Sequence, residues 1–100
     1  MAMSKRDVWR ACEAAENYIR NKYPMLAPLS DPEGAMYPGE QASHVLFMCQ
    51  EVRRLIDSER TEKAMRWLGF IQGFVWANSM ATIPQMNADN RPANRPADAD

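Results

Sequence analysis

One histidine and four glycines in 100 residues leave little material for a metal centre or a phosphate-cradling loop. No G-x-G-x-x-G, P-loop, C-x-x-C or H-E-x-x-H pattern occurs. The one histidine, His44, is five residues from Cys49, so the two share no helix face. Ser43 is its neighbour in sequence and points elsewhere on a helix, so no nucleophile–base pair forms. The chain is therefore read as a non-enzyme with no cofactor and no metal. Charge of one sign is missing too: 12 Lys+Arg stand against 13 Asp+Glu, a formal net charge of −1. No helix has a basic face, which argues against direct nucleic-acid binding and against a polybasic membrane surface. Ala64 to Ile83 is the longest apolar stretch, but Arg66, Gln72, Asn78, Ser79 and Thr82 interrupt it. A bilayer needs about 20 apolar residues, so no membrane span is expected. Met1 to Arg6 holds no apolar run of signal-peptide type. That reading makes the protein cytoplasmic and its two cysteines, Cys12 and Cys49, reduced and buried as small hydrophobes. A disulfide between them is the alternative.

What is present is apolar surface. Hydrophobic residues make up 46% of the chain, with eight Met, three Trp, three Tyr and three Phe. A chain of this size buries roughly 65% of the surface its unfolded form exposes. Some of the apolar load is therefore expected outside a monomer's core, where it marks an interface.

The periodicity predicts an all-α fold. Three main helices are joined by a proline-rich connection between the first and second, and followed by a short C-terminal helical turn and a disordered tail. A helical homodimer is expected. The first helix runs from Lys5 to Lys22, with Ser4 as N-cap and Asp7 close to a capping-box position. Val8, Ala11, Cys12, Ala15, Tyr18 and Ile19 give it one apolar face; Arg6, Arg10, Glu13, Glu16, Asn17 and Arg20 read as solvated. Pro24 ends it. Tyr23 to Gly39 interleaves Met25, Leu26, Leu29, Met36 and Tyr37 with four prolines, which suits a connection laid across a helix face. The second helix, Glu40 to Asp57, carries a seam of Ala42, Val45, Cys49, Val52 and Ile56, widened by Leu46, Met48 and Leu55. Phe47 projects opposite that seam, beside Glu51 and Arg54, and is a contact candidate. The charges of Glu51, Arg53, Arg54, Asp57, Glu59, Arg60, Glu62 and Lys63 read as a solvated pattern at a helix–helix turn.

The third helix, Glu62 to Asn78 with Ser58 or Thr61 as cap, is apolar almost all round. At ~100° per residue, Trp67, Phe70, Ile71 and Phe74 share one side, widened by Ala64, Leu68 and Val75. The other side carries Met65, Gly69, Gly73, Trp76 and Ala77. Such a helix must be covered on both faces, and a second chain is the expected cover. Gly69-x-x-x-Gly73-x-x-x-Ala77 forms a small-residue ridge. Each interior glycine costs roughly 0.8–1 kcal/mol relative to Ala, so close backbone approach is expected there. The ridge packs either on another helix of the same chain or across a subunit boundary. Thr82-Ile83-Pro84-Gln85 has the form of a second capping box opening a short turn through Asn87. Residues 1–87 read as one helical domain. Residues 88–100, with their tandem Asn-Arg-Pro-Ala repeat, read as a disordered low-complexity tail.

Two segments carry a family resemblance: His44-Val45-Leu46-Phe47-Met48-Cys49-Gln50-Glu51, and the run from Glu62 through Lys63-Ala64-Met65-Arg66-Trp67-Leu68-Gly69-Phe70-Ile71-Gln72-Gly73-Phe74-Val75 to Trp76. Together they resemble the QslA family of small quorum-sensing antiactivators, which includes prophage relatives. The resemblance covers residues 40 to 87. It implies an all-helical, self-associating antiactivator of transcription regulation. Its implied partner is the ligand-binding domain of a LuxR-type regulator, LasR-like, whose dimerisation and DNA binding it would block. The alternative is a helical homodimer of phage or host origin with a different protein partner. The candidate interface, for partner or homodimer, comprises Phe47, Met65, Arg66, Trp67, Gly69, Phe70, Gly73, Phe74, Trp76, Ala77 and Met80.

Overall fold

The computed structural model describes residues 3–30 and 37–91. Among them the chain is all-helical, with no strand. Helix α1 spans Lys5–Lys22, α2 Pro38–Asp57, α3 Thr61–Ala77 and α4 Ile83–Asp89. Met36 and the tandem Asn-Arg-Pro-Ala repeat beyond Arg91 lie outside the described residues.

Local chemistry sets the helix ends. The Ser4 hydroxyl accepts the Asp7 N–H at 3.1 Å, and the Asp7 carboxylate accepts the Ser4 N–H at 3.0 Å. This reciprocal box satisfies two of the donors that a helix start leaves open. α2 begins two residues before the expected Glu40. Pro38 has no N–H to lose in a first turn and its ring pre-sets φ, so the helix can start on it. Glu40 then accepts the Tyr37 N–H at 3.3 Å. α3 is preceded by Arg60, with no side-chain cap; Ser58 instead closes α2, and Thr61 is already helical. Glu59 stands between them at φ 62, in the left-handed region, and Arg60 takes the cap position. Thr82 and Gln85 make the second box, at 3.2 and 2.7 Å. α4 continues two residues past the expected Asn87, and Asn90 and Arg91 are bonded to the body of the fold.

α2 packs on both α1 and α3, which also touch each other. Val8, Cys12 and Ile19 from α1, Leu46, Cys49 and Val52 from α2, and Leu68, Ile71 and Val75 from α3 form the innermost layer. The eight seam residues expected on α2 are all buried. α4 adds Met86 over the α1 side. Among its described residues, the connection after α1 meets α2 at Leu29. The Leu29 N–H donates to the Ser43 carbonyl at 3.0 Å, and His44 Nδ1 bonds the Leu29 carbonyl at 2.8 Å. Leu26 packs on the core, while Met25 and Tyr37 stay exposed. Both thiols are buried and free.

One part of the expected solvated charge pattern is not solvated. Arg53 Nη1 and Nη2 donate to the two Glu16 oxygens at 2.8 and 2.7 Å, a bidentate pair between α2 and α1. The Arg53 guanidinium also lies 5.5 Å over the Trp9 ring, whose Nε1–H reaches Asp57 at 3.3 Å. Two residues counted as surface therefore close the α1–α2 seam. Among the described residues no helix is long and apolar enough to cross a membrane.

Candidate functional site

α3 divides its residues sharply between inside and outside. Ala64, Leu68, Ile71 and Val75 are buried and define its inner line, spaced four, three and four residues apart. At ~100° per residue, Gly69 and Gly73 fall opposite that line. Met65, Phe70, Trp76 and Ala77 flank them, and all six are exposed. Phe70 is 62% exposed and Trp76 55% exposed, which is unusual for large aromatics on a helix of a small bundle.

The expected grouping of Trp67, Phe70, Ile71 and Phe74 on one face is split by packing. Ile71 is buried; Trp67 and Phe74 are half-buried against the core; Phe70 points to solvent. The cause is the width of the bundle. The small side chain of Ala64 and the aliphatic side chains of Leu68, Ile71 and Val75 fill the space against α1 and α2. The rings are left to the flanks.

The glycine ridge has a clear outcome. A Cβ placed on Gly69 or Gly73 meets no heavy atom within 4 Å. No other described helix is in close contact with the ridge, which is not the tight internal packing that one of the two expectations called for. Two interior glycines are carried on the open face of α3.

α4 extends this face. Ile83, which the sequence reading left out, is 49% exposed at its start. An open hollow of about 190 Å³ lies beside Gly73, between Trp76 and Ile83, with Met86 and Gln72 also lining it. A larger open groove of about 460 Å³ adjoins it, lined by Trp76 and by Ser79 to Gln85. Trp76 and Ile83 line both hollows. The signal for Ile83 was weak in sequence: it opens a seven-residue helix, too short for a periodic face.

The remaining candidates are distributed around this surface. Arg66 is exposed near its N-terminal end and pairs with Glu62 at 3.5 Å. Met80 is half-buried against the core, its N–H donating to the Val75 carbonyl at 2.9 Å. The Lys63 ammonium sits 5.5 Å over the Trp67 ring. Phe47 is on α2, half-buried and stacked with His44 at a centroid distance of 5.8 Å, so it is not the free-standing ring that its place opposite the seam suggested. His44 is itself engaged by the Leu29 carbonyl. Among the described residues no group of three or more His, Cys, Asp or Glu could hold a metal ion.

No family model, curated protein or solved structure matches this chain.

Proposed function

We propose that this chain is a protein-sequestering antiactivator. Its α3–α4 face binds the ligand-binding domain of a LuxR-type transcription regulator, LasR-like, and thereby blocks that domain's dimerisation and its DNA binding. The observation that carries the reading is the exposed apolar face of Gly69, Phe70, Gly73, Trp76 and Ile83, which nothing in the described chain covers. The resemblance of residues 44–51 and 62–76 to the QslA family supplies the class of partner.

The physics of the face suits such a role. A helix with an apolar face can occupy the groove in which a partner's own helix would dock. Interface energy concentrates in a few aromatic and Arg side chains at the centre of the patch. Here Phe70 and Trp76 flank two glycines, and Arg66 stands at one end. The glycines let a partner's backbone come close, and the hollows beside Trp76 admit its side chains. Sequestration at this face needs no catalytic group.

The test is co-purification at micromolar concentration with an autoinducer-loaded LasR ligand-binding domain. The wild-type chain forms a complex; Phe70→Ala/Trp76→Ala does not, while its helical circular dichroism is unchanged. Absence of any complex with the wild-type chain counts decisively against the reading.

Gly69 and Gly73 favour a second reading, in which the same face takes a second copy of the chain. The protein is then a helical homodimer of phage or host origin whose partner is a different protein. Sedimentation of the wild-type chain and of Gly73→Leu, read beside the co-purification, separates the two: a dimer lost in the variant, with no complex between the wild-type chain and the regulator domain, supports this second reading.

A further inference from the structure

We infer that the docking face is a composite whose α4 half is a latched strap, and that Tyr18, Gln72 and Asn90 are the positioning residues that hold it closed. The inference rests on the reading of the α3 face as a docking surface and names how that surface is regulated.

α4 cannot hold itself. Seven residues are well short of the roughly 12–15 at which an isolated helix becomes even marginal in water. It buries one side chain, Met86, over Ala11, Ala15 and Val75; its other residues are exposed or half-exposed. Its place is fixed by polar bonds gathered at its C-terminal end. The Tyr18 hydroxyl donates to the Asp89 carboxylate at 2.7 Å. Gln72 and Asn90 exchange amide hydrogen bonds at 2.6 and 3.1 Å, a reciprocal pair that ties the strap to α3. The Arg10 guanidinium reaches the Asp89 and Arg91 carbonyls.

The other end of the strap carries Ile83, which completes the wall of the hollow beside Trp76. It joins α3 through a short turn in which Ser79 stands at φ 59. With the latch open, only Met86 and the Arg10 bonds to the Asp89 and Arg91 carbonyls retain the strap, and the Ile83 side of the hollow loses its anchor. A partner that recognises the whole face binds only the latched population, so its apparent affinity scales with the fraction latched.

The experiment is hydrogen exchange of the full chain, wild type against Tyr18→Phe/Asn90→Ala. The expected result is that amides of residues 83–91 exchange roughly tenfold faster in the variant, from the loss of three hydrogen bonds, while those of α1 to α3 keep their protection. Affinity for the regulator domain follows the latched fraction, so it falls by less than about twofold as long as the latched state remains the majority. Exchange in residues 83–91 equal to wild type overturns the latch. So does acceleration spread evenly over all four helices, which would mean that α4 opens only with the whole fold. Should the double variant unfold, Tyr18→Phe alone keeps the ring and reads the same segment. The exchange pattern of the free protein decides the latch whether or not the regulator domain binds, so failure of the partner reading shows separately.

Discussion

Cys12 and Cys49 illustrate what burial does to a single group. Burial pushes the Cys12 thiol from its ordinary 9.0 up to about 11, with nearby Arg53 opposing and Glu16 adding. Cys49 is raised as well, by burial first and then by the proximity of Cys12 and Glu16. Both thiols are therefore expected to react slowly with a disulfide reagent at pH 8 and rapidly once the chain is denatured. The sign for stability follows from the same shift. The folded state holds these protons more tightly than the unfolded state, so the Cys12 contribution is intact below pH 9 and is lost as pH rises from 9 through 11, with the Cys49 contribution falling in the same direction. Urea denaturation across that range checks it. The half-buried Arg53–Glu16 pair gives a second test. Glu16→Ala strands the guanidinium and is expected to cost about 1.5–3 kcal/mol in urea denaturation. The burial of the thiols was legible from their place on apolar stripes. The ion pair was not, because its members are 37 residues apart and nothing in a periodic pattern tells which surface charges meet when two helices cross.

The elements themselves were largely written in local signals. The Ser4 box and Pro24 bracket α1 at the expected residues, and the α2 seam of Ala42 to Ile56 is buried as its spacing requires. α3 is where local signals ran out. A helix apolar on nearly every side gives no preferred direction, so its inner line had to be chosen by the helices it meets. Those helices selected Ala64, Leu68, Ile71 and Val75 and turned Phe70 outward. The glycine ridge then became decidable. Because a Cβ at Gly69 or Gly73 meets nothing, Gly69→Ala and Gly73→Ala are each expected to stabilise the isolated chain, by roughly 0.5–1 kcal/mol through helix propensity. Gly73→Leu is likewise expected to fold, yet to lose association through this face. Thermal unfolding and sedimentation, run on the same samples, read the two effects. A Gly73→Leu chain that unfolds would mean that the ridge packs internally after all.

At the scale of the molecule, the aromatic load exceeds what three helices and a strap can enclose. The excess is not scattered evenly. Trp9, half-exposed with Arg53 over its ring, and Met25 and Tyr37 stand apart from one another, whereas Met65, Phe70, Trp76 and Ile83 are gathered on the α3–α4 side. Replacing Phe70 or Trp76 with Ala is expected to change stability by no more than about 0.5 kcal/mol, as for other surface positions. The same changes are expected to remove binding in the co-purification, the result that marks the face as functional rather than structural. The surplus itself was legible from composition and size. Its location was not, because it depends on which line of α3 turns inward and on α4 lying beside Trp76.

The most direct measurement is size-exclusion chromatography with light scattering, on this chain alone and mixed with an autoinducer-loaded LasR ligand-binding domain. The expected result is a stable mixed complex whose mass leaves no regulator dimer, and which disappears with Phe70→Ala/Trp76→Ala. A regulator domain that stays dimeric and elutes apart from this chain would contradict sequestration.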